Sequence, residues 1–148
     1  MERARPAIEA DRAVCARLLG DALTHAGSMR GGPALVGDAT PEQLLIRWGD
    51  EAGLFVGEFE GAVVGVLGVV AVAAPGGRRG RIECCYVEVA ARGVGVGTSL
   101  MEAAVGWCVT AGCGEVDALA LPGDRSTKQR LEAAGFSARL LTLSRRLG

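Results

Sequence analysis

Three glycines in one short segment have the spacing of a phosphate-binding loop. They follow an apolar stretch and precede a stretch of helical periodicity, in the segment Arg92, Gly93, Val94, Gly95, Val96, Gly97 and Thr98. The first turn of a helix has unpaired N–H groups and a partial positive charge. Glycines have no Cβ, so the backbone can approach a phosphate closely, and Arg92 adds a full positive charge at the entrance. The segment is therefore predicted to hold a phosphate or diphosphate.

Two common nucleotide-binding motifs do not match this segment. The dinucleotide fingerprint G-x-G-x-x-G needs a third glycine where the chain has Leu100. A P-loop needs Gly-Lys followed by Ser or Thr, and no such sequence follows. The remaining pattern is R-x-x-G-x-G after an apolar strand. Taken alone, it is equally compatible with a tight strand-to-helix connection that binds nothing.

The elements around this segment are predicted to form a strand–helix–strand unit. Apolar residues from Leu100 to Ala111 recur at helical spacing, and strands are predicted at residues 81–89 and 116–121. A right-handed crossover makes these two strands parallel neighbours. Further strands are expected at residues 4–9, 54–58, 62–74 and 139–144, with tight turns at 60–61 and 75–80. Further helices are expected after Asp11, after Thr40, which has a capping box with Gln43, and after Ser126, which has one with Gln129.

Composition sets the class of protein. The chain has 148 residues, which predicts one domain, and its 16 basic and 17 acidic residues give a net charge of −1. No basic surface for nucleic acid is therefore expected, and the short run Arg78-Arg79-Gly80-Arg81 is interpreted as a solvated hairpin turn. Five cysteines without paired spacing predict buried thiols and no metal site. The longest apolar stretch, residues 62–74, is too short to span a bilayer, and the first residues lack the apolar core of a signal peptide. We expect a cytoplasmic protein.

Two motifs carry a family resemblance. Residues 86–101, YVEVAARGVGVGTSLM, resemble the central motif of the GNAT superfamily of N-acyltransferases, and residues 131–136, LEAAGF, resemble its later helix-end motif. The resemblance implies one GNAT-like α/β (α+β) domain over residues 1–148, with a mixed, mostly antiparallel central sheet and helices on both faces. It also implies acetyl-CoA, or a longer acyl-CoA, as donor. The pantetheine arm would pair with Cys85, Tyr86 and Val87, and the diphosphate would rest on the amides of residues 92–98.

The resemblance also directs attention to Glu83, at a strand position where related sequences often carry a glutamate. Transfer to an amine is helped by a general base, and a partly desolvated Glu83 with a raised pKa is the candidate. The alternative is an ion pair with Arg81 or another arginine. Many members have a tyrosine at the position of Leu131, where it protonates the departing thiolate, and an asparagine at that of Asp124. His25, the single histidine, is either a contact for the acceptor or simply solvated.

These observations predict an acetyltransferase that moves an acetyl group from acetyl-CoA to a primary amine of a small molecule or peptide, by direct attack. No metal, nucleic acid or membrane is expected to take part. The free sheet edges of the fold would allow a homodimer. The alternatives are a catalytically weak acyl-CoA sensor or interaction module, suggested by Leu131, and a regulatory domain that binds ATP or NAD in the same loop.

Overall fold

The computed structural model describes residues 1–148 and contains five strands and five α-helices. The strands are β1 (Glu2–Pro6), β2 (Leu54–Phe59), β3 (Ala62–Ala74), β4 (Gly77–Val87) and β5 (Cys113–Ala118). The helices are α1 (Arg12–Gly27), α2 (Gly32–Val36), α3 (Pro41–Asp50), α4 (Val96–Thr110) and α5 (Arg125–Ala133). Short 3-10 turns, Glu9–Asp11 and Val89–Ala91, lie before α1 and before the glycine loop.

The five strands form one sheet in the order β1-β2-β3-β4-β5. The first four are antiparallel neighbours, whereas β5 is parallel to β4 and is reached through α4. This arrangement confirms the predicted mixed, mostly antiparallel sheet and its strand–helix–strand unit. No helix is both long enough and apolar enough to cross a bilayer.

Each face of the sheet carries its own apolar core, which confirms helices on both faces. Because side chains alternate along a strand, Leu67 and Val69 of β3 face α4, whereas Val66 and Val70 face α1 and α3. The continuous apolar run of β3 is thus explained by burial on both sides. The core on the α4 side contains Val96, Leu100, Met101, Ala104 and Leu131. The core on the other side contains Cys15, Leu18, Leu19, Leu45 and Trp48.

Local signals fix several boundaries. Thr40 and Gln43 form the predicted capping box at the start of α3. The turn between β2 and β3 places Glu60 and Gly61 at φ angles of 51° and 81°, as a two-residue hairpin requires. The short helix α2 lies between α1 and α3, where the sequence predicted no helix.

Two expectations about the strands are wrong. The run from Arg78 to Arg81 is part of β4, which begins at Gly77, and Arg79 is paired with Glu115 and Asp117 of β5. The strand expected at residues 139–144 does not form. Leu140, Leu141 and Leu143 are all strongly exposed, so this segment does not pack against the sheet.

A buried ion pair anchors the start of the chain to α1. The carboxylate of Asp11 accepts hydrogen bonds from Nη1 and Nη2 of Arg5, at 2.7 and 3.0 Å, and from the Ile8 N–H at 2.8 Å. The hydrogen bond from Arg5 is the main reason why the pKa of Asp11 lies below its ordinary value. Asp11 occupies the N-cap position of α1, but its side chain makes no capping hydrogen bond there and instead fastens β1 to the turn before α1.

Replacing Asp11 by Asn is expected to lower the free energy of unfolding by about 1.5–3 kcal/mol, because Arg5 loses a charged hydrogen-bond acceptor although it keeps Glu58 at 3.3 Å. Since the folded-state pKa of Asp11 is depressed, its contribution is complete above the unfolded-state value, about 3.9. It is lost as the pH falls through the lower folded-state value. Urea unfolding at neutral and acidic pH measures both effects. Glu60→Gln, which removes an exposed ion pair with the amino terminus, is the control, and equal effects of the two changes would contradict the prediction.

Candidate functional site

The parallel strands β4 and β5 separate near the middle of the sheet. Their pairing ends at Ile82 and Ala118, but β4 continues to Val87 while still paired with β3. The edge of β4 from Glu83 to Val87 therefore has no strand beside it. This open edge includes Cys85, Tyr86 and Val87, the residues predicted to bind an extended arm. An open strand edge can bind such a ligand through main-chain hydrogen bonds.

The glycine loop lies at the end of this edge and opens directly into α4. Gly93 and Gly95 have φ angles of 88° and 92°, a left-handed conformation that favours glycine, and Gly95 is the N-cap of α4. The amides of residues 93–98 donate no hydrogen bond within the protein, whereas the Arg92 amide donates one to the carbonyl oxygen of Val89 at 3.3 Å. The Arg92 amide was therefore wrongly included in the predicted set. Consecutive free amides at a helix entrance can bind an anion, so residues 93–98 have the geometry that the predicted diphosphate-binding loop requires.

Arg92 does not extend into the loop. Its Nε donates a 2.9 Å hydrogen bond to the carbonyl oxygen of Val87, and its guanidinium lies 5.5 Å from the centre of the Tyr86 ring. Arg92 thereby joins the glycine loop to the end of β4. An acidic side chain lies nearby, because a Cβ on Gly95 would be 3.3 Å from Oε1 of Glu2.

A cavity of about 130 Å³ continues from the open edge between α1 and α5. Its wall is mostly apolar and includes Leu35, Leu119 and Leu121. The charged or polar side chains at the wall include His25, Glu83, Tyr86, Asp124 and Arg130. His25 lies in the last turn of α1, with its ring centre 6.2 Å from that of Tyr86. The structure thus brings Glu83, His25 and the predicted arm-binding strand to one cavity.

Glu83 is held by three side chains. It accepts hydrogen bonds from Nε and Nη2 of Arg47, at 2.6 and 2.8 Å, and from Nε1 of Trp48 at 2.8 Å. Arg81 lies 3.5 Å away. Partial burial raises the pKa of Glu83, but these hydrogen bonds and the charges of Arg47 and Arg81 outweigh it, so the pKa is lowered. The expected raised pKa is wrong, and the alternative of an arginine ion pair is confirmed.

Trp48 reaches Glu83 because β3 has a glycine beneath the indole. A Cβ on Gly68 would lie 2.1 Å from Cδ2 of Trp48. The indole is fully buried in that position, so its N–H is fixed toward the carboxylate. Trp48 thus belongs to the core on this face of the sheet and also binds the carboxylate. The sequence analysis missed its hydrogen bond to Glu83 and the role of Arg47.

The start of α5 differs from the sequence expectation. Asp124, not Ser126, is the N-cap, since its Oδ1 accepts a 3.2 Å hydrogen bond from the Thr127 N–H and its Oδ2 accepts one from the Thr127 hydroxyl at 2.7 Å. The predicted capping box of Ser126 and Gln129 is wrong because the helix begins two residues earlier than that box requires, at Arg125. Leu131 is buried at the cavity wall, where it offers no proton.

The sequence model of the acetyltransferase (GNAT) family matches residues 25–136, which include the glycine loop, the open edge and most of the cavity. The chain belongs to the GNAT family. No curated protein sequence is significantly similar to it. The match includes both the open edge of β4 and the glycine loop that follows it. It confirms the resemblance seen in the sequence.

The fold of this GNAT protein matches solved acetyltransferases over nearly their full length. The ribosomal-protein-alanine N-acetyltransferase of Brucella melitensis biovar Abortus 2308 has a TM-score of 0.73 at 17% identity, with 100% of both chains covered. A predicted acetyltransferase with acetyl-CoA from Clostridium acetobutylicum has a TM-score of 0.70 at 17% identity, covering 97% of this chain and 96% of that one. The aminoglycoside antibiotic 6'-N-acetyltransferase of Acinetobacter haemolyticus has a TM-score of 0.67 at 16% identity, covering 99% of each.

Proposed function

We propose that this GNAT protein transfers the acetyl group of acetyl-CoA to a primary amine by direct attack. The observation that carries the proposal is the continuity of three features: the free amides of residues 93–98, the open edge of β4, and the cavity that contains Glu83. The edge from Val87 to Glu83 spans about 13 Å at about 3.3 Å a residue. It provides an extended path from the anion site to a carboxylate.

Acetyl-CoA supplies a thioester: the amine nitrogen forms the carbon–nitrogen bond of the amide, the carbon–sulfur bond breaks, and CoA leaves as a thiolate. Since Leu131 offers no proton, the thiolate takes its proton from water. The chain's own residues hold the reactants and accept the proton that the amine loses. Glu83 is the proposed base, directly or through water. Its lowered pKa makes it a weak base toward a free amine. Proton transfer is therefore expected as the carbon–nitrogen bond forms, when the amine proton becomes much more acidic.

The acceptor is proposed to enter on the α1 side of the cavity, a small molecule or peptide amine with an apolar body. The wall there combines Leu35 and Leu121 with His25 and the Glu83 carboxylate. The charge of Glu83 is already matched by Arg47 and Arg81, so the amine is proposed to bind in its neutral form. The apolar wall shelters the carbon chain attached to it. His25 is proposed as a contact for the acceptor.

The cysteines at the open edge favour direct attack over a covalent acetyl-enzyme. Burial raises the pKa of the Cys84 thiol to about 12 and also raises that of Cys85. Both thiols are therefore protonated at neutral pH, whereas the thiolate is the nucleophile. We expect Cys84→Ala and Cys85→Ala variants to keep acetyl transfer within a few-fold of the parent. Mass spectrometry of the parent with acetyl-CoA alone should show no added acetyl group on either cysteine, and a stoichiometric acetyl-cysteine would contradict the prediction.

The function is tested in two stages. Thermal shift first compares CoA with ATP and NAD, and only CoA should raise the melting temperature. CoA release from acetyl-CoA is then followed with a panel of primary amines, including an alanine-terminated peptide and an aminoglycoside, the acceptor types named for two structural neighbours. Acceptor-dependent release supports the proposal. CoA binding without turnover on any amine would favour the acyl-CoA sensor, for which Leu131 at the cavity wall is the supporting observation.

A further inference from the structure

Arg130 crosses from α5 to the first turn of α4. A Cβ on Gly97 would lie 2.9 Å from both Cζ and Nε of Arg130, so the guanidinium is packed directly against the helix entrance. The side chain is half-buried and forms part of the cavity wall. It also lies beside the Cys85 thiol on the open edge, where its charge partly offsets the effect of burial on that thiol's pKa.

This guanidinium has no anionic partner in the protein. Arg47 and Arg79, by contrast, are each paired with carboxylates. Arg130 instead lies next to the positive end of α4 and the free amides of residues 93–98. Holding a half-buried cation beside a helix N-terminus is unfavourable unless an anion binds between them. The placement of Arg130 is therefore that of a ligand for an anion.

We propose that Arg130 is a second holder of the CoA diphosphate, reaching it from α5 while the glycine-loop amides hold it from α4. The inference rests on the proposed function and extends it to a residue outside the glycine motif. The diphosphate is the anion that this position favours because the guanidinium contacts Gly97 at the loop. Glu83, where the amine is proposed to react, lies at the other end of the open edge. It is about 13 Å from Val87 at about 3.3 Å a residue.

The experiment measures dissociation constants by calorimetry for the parent and for Arg130→Gln. Three ligands distinguish the groups of the cofactor that Arg130 could contact. They are CoA, dephospho-CoA, which lacks the 3'-phosphate, and desulfo-CoA, which lacks the sulfur, and all three keep the diphosphate. The loss of a charge-assisted hydrogen bond is expected to weaken all three ligands by about 10- to 100-fold. Arg130→Lys should recover part of the loss, since lysine keeps the charge without the planar fork.

Arg125→Gln is the matched control, because Arg125 lies exposed on the same helix and the change removes the same charge. It should stay within about twofold of the parent. The thermal melt of each free variant shows whether it is folded, and Arg130→Lys preserves the packing if Arg130→Gln does not. Equal affinities of parent and Arg130→Gln would overturn the proposal. If Arg130→Gln weakens CoA but not desulfo-CoA, Arg130 contacts the sulfur and the proposal is overturned. If it weakens CoA but not dephospho-CoA, Arg130 contacts the 3'-phosphate and the proposal is likewise overturned. A parent that binds no CoA would instead refute the proposed function itself.

Discussion

A Gly95→Glu variant is expected to bind CoA about 100-fold more weakly than the parent. Gly95 is the left-handed N-cap of α4, beside the free amides that are proposed to hold the diphosphate. A glutamate there strains the backbone and adds a negative charge to an anion site. At about 6 Å and an effective dielectric constant of about 20, one such repulsion costs roughly 2–3 kcal/mol, which corresponds to about 100-fold. Calorimetry with CoA measures the change.

Two other glycine variants separate charge, strain and general instability. Gly95→Ala keeps the strain of a positive φ without the charge, so its loss of affinity should be smaller. Gly106 lies in the exposed middle of α4 with nothing near a new Cβ. Gly106→Ala should therefore stabilise the protein by about 0.5–1 kcal/mol and leave CoA affinity unchanged. A folded Gly95→Glu protein with the parent's affinity would remove the glycine loop from the cofactor site.

A Glu83→Gln variant is expected to lose about 10²- to 10³-fold in kcat/KM for amine acetylation, because the amide cannot accept the proton. CoA affinity should change little, since the variant leaves the glycine loop intact. The lowered pKa keeps Glu83 ionised through neutral pH and down to below its ordinary value, about 4.3. The parent should therefore lose the contribution of Glu83 only as the pH falls below that value, and the variant should lack this acidic limb.

The control for Glu83→Gln is Glu115→Gln. Glu115 lies on β5, where it is paired with Arg79 of β4. The side chain of Glu115 is 71% exposed and is not part of the cavity wall. The same chemical change there should leave kcat/KM unchanged. Urea unfolding of both variants measures how much free energy of unfolding is lost when Arg47 and Trp48 no longer share a carboxylate. If Glu83→Gln is destabilised but fully active, the residue has a structural role and the proposed base is wrong.

The cofactor half of the site was largely predictable because it is local in sequence. A strand, a loop with Gly93, Gly95 and Gly97, and an amphipathic helix follow one another directly, so spacing alone places the loop at the helix entrance. The later helix-end motif is equally local. Backbone geometry, rather than distant side chains, carries the proposed binding in this half.

The acceptor half was predictable only in part, because it is assembled from distant segments. Glu83 receives its hydrogen bonds from Arg47 and Trp48 on α3, and no sequence spacing shows that α3 packs over β4. The direction in which the pKa of Glu83 shifts depends on those partners, so the direction predicted from the sequence was wrong. Arg130 was missed for the same reason, since its meaning comes from contact with Gly97.

The expected final strand failed for another reason. Residues 139–144 have the composition of a strand, but a strand exists only through its neighbour, and the sequence does not specify one. The cap of α5 was assigned to Ser126 although Asp124 binds the same turn more closely. In both cases the local sequence allows more than one conformation, and the surrounding structure decides which one forms.

The two separate cores have a consequence for how this scaffold can be altered. The cofactor loop, α4 and α5 belong to the packing on one face, whereas α1, which borders the proposed acceptor side of the cavity, belongs to the packing on the other. Changes on distant sites with no shared partners add nearly independently. If α1 borders the acceptor as proposed, substitutions on it should change acceptor preference with little disturbance of the proposed donor end.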